Sequence, residues 1–212
     1  MRIPAKEALM NHWKTQGIIT DSRVLDAFVK VPREQFVRQG MEKHAYDDHA
    51  LPIGEGQTIS QPSTVMIMTQ ALEVDAGMKV LEVGTGSGYQ AALLSILAGE
   101  QGKVYTTEMI SSLYETAKEK LATYANITML NVDGAQGLKR YAPFDRIIVT
   151  AASQKIPQPL IDQLKEDGLI VAPIGSPYEQ AMIVGRKKGK ELLTKSFGSF
   201  AFVPLTGEFG FK

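Results

Sequence analysis

A glycine-rich turn followed by two acidic side chains is the feature of this sequence with the clearest chemical meaning. Residues 83–89 read VGTGSGY, where an apolar strand pattern changes to a helical one. Glycines at such a junction let the backbone turn tightly and approach a ligand closely. Glu108 ends the next predicted strand, at about the 20-residue spacing of a ribose-binding acid, and Asp133 and Gly134 follow the third strand. The pattern predicts an adenosine-type cofactor at the carboxyl ends of the strands.

The spacing of the glycines separates two cofactor classes. The dinucleotide fingerprint is G-x-G-x-x-G, but counting from Gly84 places Tyr89 at its third glycine, and the chain reads G-x-G-x-G. The acidic Glu82 precedes the turn, and a carboxylate there suits a cofactor with an ammonium group and no phosphate. S-adenosyl-L-methionine has an ammonium, a sulfonium and no phosphate. The residues favour it over a nicotinamide dinucleotide, while turn glycines beside solvated acids remain the alternative.

Other chemistries find less support in the residue types. The chain has no cysteine, which excludes disulfides, thiolate metal sites and cysteine nucleophiles. His12, His44 and His49 lack the spacing of metal ligands, so no metal site is expected. Methylation of base amino groups usually accompanies an N/D-P-P-Y/F-like loop after the fourth strand, where this chain reads TAA at 150–152. A nicotinamide oxidoreductase and a binding module without turnover stay open as rivals.

The composition indicates the class of protein, its partners and the compartment in which this chemistry takes place. The chain has 212 residues, of which 44% are hydrophobic and 22% charged, as in ordinary globular proteins. Its 23 basic and 23 acidic side chains cancel, which disfavours nucleic acid or an anionic membrane as a partner. The N-terminus lacks the apolar core of a signal peptide, and no apolar run approaches the roughly 20 residues of a membrane span. We expect a cytoplasmic protein.

The elements that must position these residues alternate in the middle of the chain. Between residues 77 and 175, apolar strand patterns such as MKVLEVG, KVYTTEM and FDRIIVTAA alternate with helical patterns, the last of them PQPLIDQLKEDG. Strands alternating with helices predict right-handed crossovers and a mostly parallel sheet covered on both faces. The fold class is therefore α/β, a doubly wound, Rossmann-like sheet.

The two ends of the chain have different patterns. Residues 1–76 predict a helical extension, with a helix that Asp21 caps, whose apolar positions are Val24, Leu25, Phe28 and Val29, and that ends before Pro32. LPIGEGQTISQP at 51–62 is predicted to be an irregular loop, after which Pro62 starts a helix. Residues 176–212 predict an antiparallel hairpin at the sheet edge and a tail. We expect one domain, 1–212, with a cofactor-binding core at 77–175.

The sequence resembles the protein-L-isoaspartate O-methyltransferases over nearly its whole length. The segments that carry the resemblance are RVLDAFVKVPREQFV, AYDDHALPIGEGQTISQPSTVMIMTQAL, VLEVGTGSGYQAA, NVDGAQGL, APFDRIIVTAA and FVPLTG. The glycine motif is common to many class I methyltransferases, whereas LPIGEGQTISQP is far more particular to this family. VPRE departs from the VPRH that is common in the family, which we do not expect to affect the chemistry.

The resemblance implies a class I methyltransferase fold and an enzyme that uses S-adenosyl-L-methionine. The family methylates the free α-carboxylate of L-isoaspartyl residues in damaged proteins and peptides, and the ester then closes to a succinimide. Carried onto matching positions, it implies that Ser60 is the catalytic residue. The cofactor-binding positions that it implies are Gln57, Thr58, Ile59, Ser60, Gly84, Thr85, Gly86, Glu108, Met109, Asp133, Gly134 and Thr206. A metal, a membrane or a nucleic acid is not expected to take part.

The residue types at the implied catalytic loop suit this reaction. The leaving group departs neutral, and a substrate carboxylate, with a reference pKa of about 4, is ionised at neutral pH. Neither a general acid nor a strong base is required, which agrees with a loop free of histidine and lysine. Ser60 can orient the carboxylate without adding charge. By residue type alone, Ser60 could equally be a loop serine that caps the helix begun at Pro62.

Overall fold

The computed structural model describes residues 4–211, and it contains six α-helices and nine strands within that range. The helices are α1 (Pro4–Thr15), α2 (Ser22–Lys30), α3 (Pro62–Ala71), α4 (Tyr89–Ala98), α5 (Ser111–Leu121) and α6 (Gln158–Asp162). The strands are β1 (Leu51–Gly54), β2 (Gln57–Ile59), β3 (Lys79–Val83), β4 (Lys103–Thr107), β5 (Ile127–Leu130), β6 (Phe144–Val149), β7 (Leu164–Gly175), β8 (Gln180–Lys188) and β9 (Glu191–Phe200). In that part of the chain, no helix is long and apolar enough to cross a membrane.

Seven strands form one mixed sheet in the order β5-β4-β3-β6-β7-β8-β9. The pairs from β5 to β7 are parallel, while β8 runs antiparallel to both β7 and β9. This arrangement confirms the predicted doubly wound sheet with an antiparallel C-terminal hairpin. Because β3 lies between β4 and β6, connections from the centre leave in both directions, and the carboxyl ends there form the crevice where such sheets bind ligands.

The central strands are apolar because both faces of the sheet are covered. Val80 and Ile148 pack with Leu94 of α4 on one face, and Leu81 and Ile147 pack in a separate cluster on the other. Alternate residues of one strand thus enter different cores, which is why the strands read as continuous apolar runs. The site at their carboxyl ends therefore rests on backbone that is fixed from both sides.

The helices of the N-terminal part follow most of the sequence pattern. Asp21 caps α2 by accepting a hydrogen bond from the amide of Arg23 at 2.9 Å, and α2 ends at Lys30, before Pro32, as predicted. Val29 was predicted on the buried face, but it is 52% exposed. Helix α2 buries Val24, Leu25, Ala27 and Phe28 instead, because Val29 lies beyond the edge of that stripe.

Two sequence predictions about local structure were wrong. LPIGEGQTISQP is not an irregular loop, since Leu51–Gly54 and Gln57–Ile59 pair as an antiparallel hairpin with Gly54 and Gly56 at positive φ. The helix predicted across PQPLIDQLKEDG stops at Asp162, and β7 begins at Leu164. Leu164 pairs with Phe144 before a register shift, so tertiary pairing overrides the local helical pattern.

Candidate functional site

A cavity of about 910 Å3, counting the space open to solvent at its mouth, lies at the carboxyl ends of β3, β4 and β6. It lies at the place where the strand order predicts a ligand crevice. The cavity is lined at every position that the sequence analysis assigned to cofactor or catalysis: Gln57, Thr58, Ile59, Ser60, Gly84, Thr85, Gly86, Glu108, Met109, Asp133, Gly134 and Thr206. Its charged lining residues are all acidic, namely Glu82, Glu108 and Asp133.

The glycine turn is held in place by backbone and hydroxyl contacts. The amides of Gly84 and Thr85 both donate to the carbonyl oxygen of Thr107, at 3.0 and 2.9 Å. Gly84 has a φ of 97°, and a β-carbon there would collide with Oγ1 of Thr150. The Thr150 hydroxyl donates to the carbonyl oxygen of Gly84 at 2.6 Å. Glycine is required here because the turn has a positive φ and the Thr150 side chain, just after β6, approaches it closely.

Glu108 fastens the glycine turn to the end of β4. One carboxylate oxygen accepts the amide of Gly86 at 2.8 Å, and the other accepts the amide of Ile110 at 2.9 Å. The side chain lines the cavity, yet the residue is only 7% exposed. Each oxygen keeps further acceptor capacity after one amide bond. Glu108 can therefore hold the turn and accept hydroxyl groups of a ligand together.

Glu82 is a fully buried carboxyl group at the base of the cavity. The Thr106 hydroxyl donates to Oε2 of Glu82 at 2.5 Å, so Thr85, whose Oγ1 lies 2.5 Å from that of Thr106, must donate to Thr106 in turn. Oε1 of Glu82 has no hydrogen-bond partner among the described residues. Burial, opposed by the hydrogen bond from Thr106 and assisted by the nearby charge of Glu108, raises the pKa of Glu82 to about 8. Such a group becomes anionic readily when a cation arrives.

The C-terminal tail crosses the cavity on the side of Asp133. Asp133 accepts the amide of Ala135 at 2.9 Å through Oδ1. A β-carbon at Gly207 would collide with the other oxygen of Asp133, so the tail passes directly against this carboxylate. The hydroxyl of Thr206 lies 3.6 Å from the sulfur of Met109. Asp133 and Met109, which follow different strands, thus meet the same tail segment at the cavity wall.

The loop that contains Ser60 leaves the β1–β2 hairpin and enters α3. Asp48 supplies the helix cap, because its carboxylate accepts the Ser63 amide at 2.9 Å and the Ser63 hydroxyl at 2.6 Å. The indole of Trp13 donates to the same hydroxyl at 2.6 Å. No hydrogen bond of the Ser60 hydroxyl is found within residues 4–211. Ser60 is therefore not the cap of α3, and its hydroxyl is available to a ligand.

The sequence analysis missed several of the residues that line the cavity. The cavity is also lined by Phe202, Val203, Pro204 and Leu205 of the tail and by Thr150, the residue after β6. Leu205 and Val203 are tied to Ala152 through amide–carbonyl bonds of 2.7 and 2.8 Å. A local pattern existed only for Thr150, which follows a predicted strand. The tail has no periodicity that indicates where it returns, and the only sequence signal for it was the family resemblance of the FVPLTG segment. No cluster of three metal-ligating side chains is present between residues 4 and 211.

The strand order, the glycine turn and the acidic residue after β4 together define a class I methyltransferase. The family model described as Protein-L-isoaspartate(D-aspartate) O-methyltransferase (PCMT) matches residues 4–210. The chain belongs to this family. The resemblance stated from the sequence, and the fold class that it implied, are thereby confirmed.

Individual relatives agree with the family match. The chain is 49% identical to the protein-L-isoaspartate O-methyltransferase of Methanocella arvoryzae over 185 residues, covering 86% of this chain and 98% of the relative. It is 46% identical to that of Dictyoglomus thermophilum, covering 98% and 93%. A solved protein-L-isoaspartate O-methyltransferase superposes with a TM-score of 0.87 at 30% identity, covering 97% of this chain and 67% of the other. A Plasmodium falciparum structure in complex with S-adenosyl-L-homocysteine shares the fold, with a TM-score of 0.82 at 24% identity over 94% and 97%.

Proposed function

We propose that this protein transfers the methyl group of S-adenosyl-L-methionine to the free α-carboxylate of L-isoaspartyl residues in damaged proteins and peptides, the ester then closing to a succinimide. Family membership supports the reaction. The observation that carries it within the site is the free Ser60 hydroxyl, which lies beside an acid-lined cavity.

The cavity suits a cofactor that is cationic and carries no phosphate. Its charged lining residues are carboxylates, which attract an ammonium or a sulfonium and repel a pyrophosphate. Oε1 of Glu82, buried and without a partner among the described residues, is available to the cofactor's ammonium. Glu108 takes the ribose hydroxyls with its remaining lone pairs. Asp133 and Gly134, which line the cavity, would read the adenine edge, and Thr206, which lines it too, would lie beside the cofactor.

The protein contributes alignment rather than acid or base catalysis. When bound, S-adenosyl-L-methionine supplies an electrophilic methyl group on a positively charged sulfur. The substrate carboxylate is ionised at neutral pH without assistance. Ser60 donates its hydroxyl hydrogen to one carboxylate oxygen and so points the other oxygen along the line of attack. Alignment and the removal of water can together lower a barrier by about 7–11 kcal/mol.

Discrimination between isoaspartyl and aspartyl residues rests on geometry, because the two carry the same atoms and charge. In the isoaspartyl form the chain continues through the side-chain carbonyl, which leaves the α-carboxylate beside the preceding amide. An aspartyl carboxylate lies one methylene further from the main chain. If both backbones occupy the same groove beside the Ser60 loop, the aspartyl nucleophile is misplaced. A displacement of about 1 Å can reduce a rate roughly a hundredfold.

The decisive experiment compares two matched peptides that differ only in this linkage. We expect the isoaspartyl peptide to gain one methyl group by mass shift with S-adenosyl-L-methionine, and the aspartyl twin to remain unmodified at equal concentration. A free dicarboxylic acid, which lacks flanking amides, serves as a third substrate and should react poorly. Methylation of both peptides at similar rates would contradict the proposal, as would transfer only to RNA or to a small metabolite.

The same proposal includes the cellular compartment of the reaction and the partners of the protein. The chain has no cysteine, which suits a reducing compartment such as the cytoplasm. Its zero formal net charge provides no general attraction to nucleic acid or to an anionic membrane. The partners proposed are therefore isoaspartyl proteins and peptides alone, without a metal ion.

A further inference from the structure

Arg33 is a fully buried cation that contacts the Ser60 loop from behind the cavity wall. It lies in a short 3-10 helix, Arg33–Gln35, and its relative exposure is 0%. Nε of Arg33 donates to the carbonyl oxygen of Ala45 and Nη2 to that of Ser60, both at 2.7 Å. The guanidinium also lies over the ring of Tyr89, 5.1 Å from its centroid. One side chain thus contacts three separate segments of the chain, two of which, at Ser60 and Tyr89, line the cavity.

Keeping the Arg33 guanidinium charged in this buried position costs free energy of folding. Burial lowers its pKa to about 10, so the guanidinium is still protonated at neutral pH. Nη1 has no hydrogen-bond partner among the described residues. A buried cation without full pairing lowers stability. Both hydrogen bonds of the guanidinium go to main-chain carbonyl oxygens, and one of these belongs to Ser60. Hydrogen bonds from a charged donor are short and strong.

Hydrogen bonds therefore hold the main chain at Ser60 and again at Ser63. Arg33 donates to the carbonyl oxygen of Ser60, and three residues further along, at Ser63, the Asp48 carboxylate accepts the amide and the hydroxyl. Between these anchors, the Ser60 hydroxyl makes no hydrogen bond to any residue that the structure describes, and Ser60 lines the cavity. Its direction depends on the orientation of the peptide plane that Arg33 holds.

We propose that Arg33 is a positioning residue for methyl transfer: by holding the Ser60 carbonyl, it sets the direction of the Ser60 hydroxyl toward the substrate carboxylate. The inference rests on the proposed function of Ser60. Arg33 itself does not line the cavity, so it acts through the loop. Its loss should lower the turnover rate more than the affinity for cofactor.

The test compares Arg33→Lys with a matched control, Arg146→Lys. A lysine at position 33 keeps the charge but has a single nitrogen in place of the two that donate to the Ala45 and Ser60 carbonyls. Arg146 is also a buried arginine, 9% exposed, and donates to the carbonyl oxygens of Glu73 and Asp145, both at 3.0 Å. It lies on β6 before the strand reaches the cavity. The two variants thus lose similar bonds, and only one of them lies at the Ser60 loop.

For Arg33→Lys we expect kcat on the isoaspartyl peptide to fall by about 10- to 100-fold, as a displacement of the order of 1 Å implies. Its KM and its Kd for S-adenosyl-L-homocysteine should stay close to wild type. Arg146→Lys should lose melting temperature but keep kcat. Amide hydrogen exchange at residues 57–61 should accelerate in Arg33→Lys and not in Arg146→Lys, a readout that needs no substrate.

Two results would overturn the inference. One is a wild-type kcat with unchanged loop exchange in Arg33→Lys; the other is a parallel loss of kcat, cofactor affinity and melting temperature, which marks a general structural role. Should Arg33→Lys fail to fold, Arg33→Gln, which keeps one amide donor, is measured in the same way. If the wild-type protein does not methylate the isoaspartyl peptide, the proposed function fails, while loop exchange still decides whether Arg33 holds Ser60.

Discussion

Ser60 has a free hydroxyl because other residues carry the local structure. Asp48 and Ser63 supply the cap of α3 that a serine before Pro62 could have provided. Arg33 donates a hydrogen bond to the carbonyl oxygen of Ser60 and makes none with the Ser60 side chain. The two interpretations of Ser60 that the sequence left open, a helix cap or a ligand-facing hydroxyl, are thus separated by contacts between residues far apart in the chain.

Replacing Ser60 by alanine should lower turnover and leave stability intact. The substitution removes a hydroxyl that bonds nothing else among the described residues, so the free energy of unfolding should change by less than about 0.5 kcal/mol. The carboxylate loses its orienting donor, and kcat on an isoaspartyl peptide should fall while the Kd for S-adenosyl-L-homocysteine is kept. Calorimetry, thermal unfolding and a methylation assay measure the three quantities. A normal kcat with a lower melting temperature would return Ser60 to a capping role.

Glu82 should make stability depend on pH. Its pKa rises from 4.5 in the unfolded chain to about 8 in the fold, so the folded state binds more protons than the unfolded state between these values. Stability is therefore full below about pH 4.5 and falls as pH rises through 8. The isosteric Glu82→Gln removes this dependence. We expect the wild-type free energy of unfolding, measured in urea, to decline relative to the variant by a few kcal/mol across this range, since one pKa unit is about 1.4 kcal/mol. Parallel pH profiles would show that Glu82 is charged when buried.

At the scale of elements, the strength of the local pattern decided what the sequence could predict. The strand of Lys79–Val83 and the helix of Tyr89–Ala98 have continuous apolar patterns and a glycine turn between them, and both formed as expected. The hairpin Leu51–Gly54/Gln57–Ile59 has strands too short for a period to show. Its presence depends on glycines at positive φ and on packing of Leu51 and Ile59 in the core, which a short window of sequence does not reveal.

The hydrogen bonds that cap the N-terminus of α3 can be tested by substitution. Asp48→Ala removes the acceptor for the amide and the hydroxyl of Ser63, and losing a helix cap costs about 0.5–2 kcal/mol. Asp47→Ala is the matched control, because Asp47 is the adjacent residue and its carboxylate contacts the imidazoles of His44 and His49 rather than α3. We expect urea unfolding to show the larger loss for Asp48→Ala. Equal losses for the two variants, or a larger loss for Ser60→Ala, would assign the cap differently.

At the scale of the whole molecule, the cavity is built from segments spread over most of the chain. The walls come from the hairpin at Gln57–Ile59, the ends of β3 and β4, the turn at Asp133 and the tail at Thr206. The strand pattern placed the strand ends together because parallel strands end at one edge. It could not place the tail, which is bonded to Ala152 and which only the family resemblance assigned to the site. The division into an extension at 1–76, a core at 77–175 and a hairpin with tail at 176–212 stays a prediction.

A ligand that contacts all these segments should stabilise the whole fold. At a concentration of 100 times its Kd, a ligand that binds only the folded state adds about 2.7 kcal/mol, which for a chain of this size raises the melting temperature by roughly 5–10 °C. We expect this shift with S-adenosyl-L-homocysteine. NAD at the same concentration should produce none, because Tyr89 stands at the third glycine position and the cavity's charged lining residues are acidic.

Glu108→Ala provides the internal control for that experiment. Glu108 lines the cavity and holds Gly86 and Ile110, so its loss should weaken cofactor binding by about 1.5–3 kcal/mol, the usual value of hydrogen bonds to a charged group. The same concentration of S-adenosyl-L-homocysteine then saturates the variant far less, and the shift, taken from the variant's own ligand-free melting temperature, should fall to half or less. A full shift in Glu108→Ala would remove Glu108 from the cofactor site, and an equal shift with NAD would overturn the cofactor assignment itself.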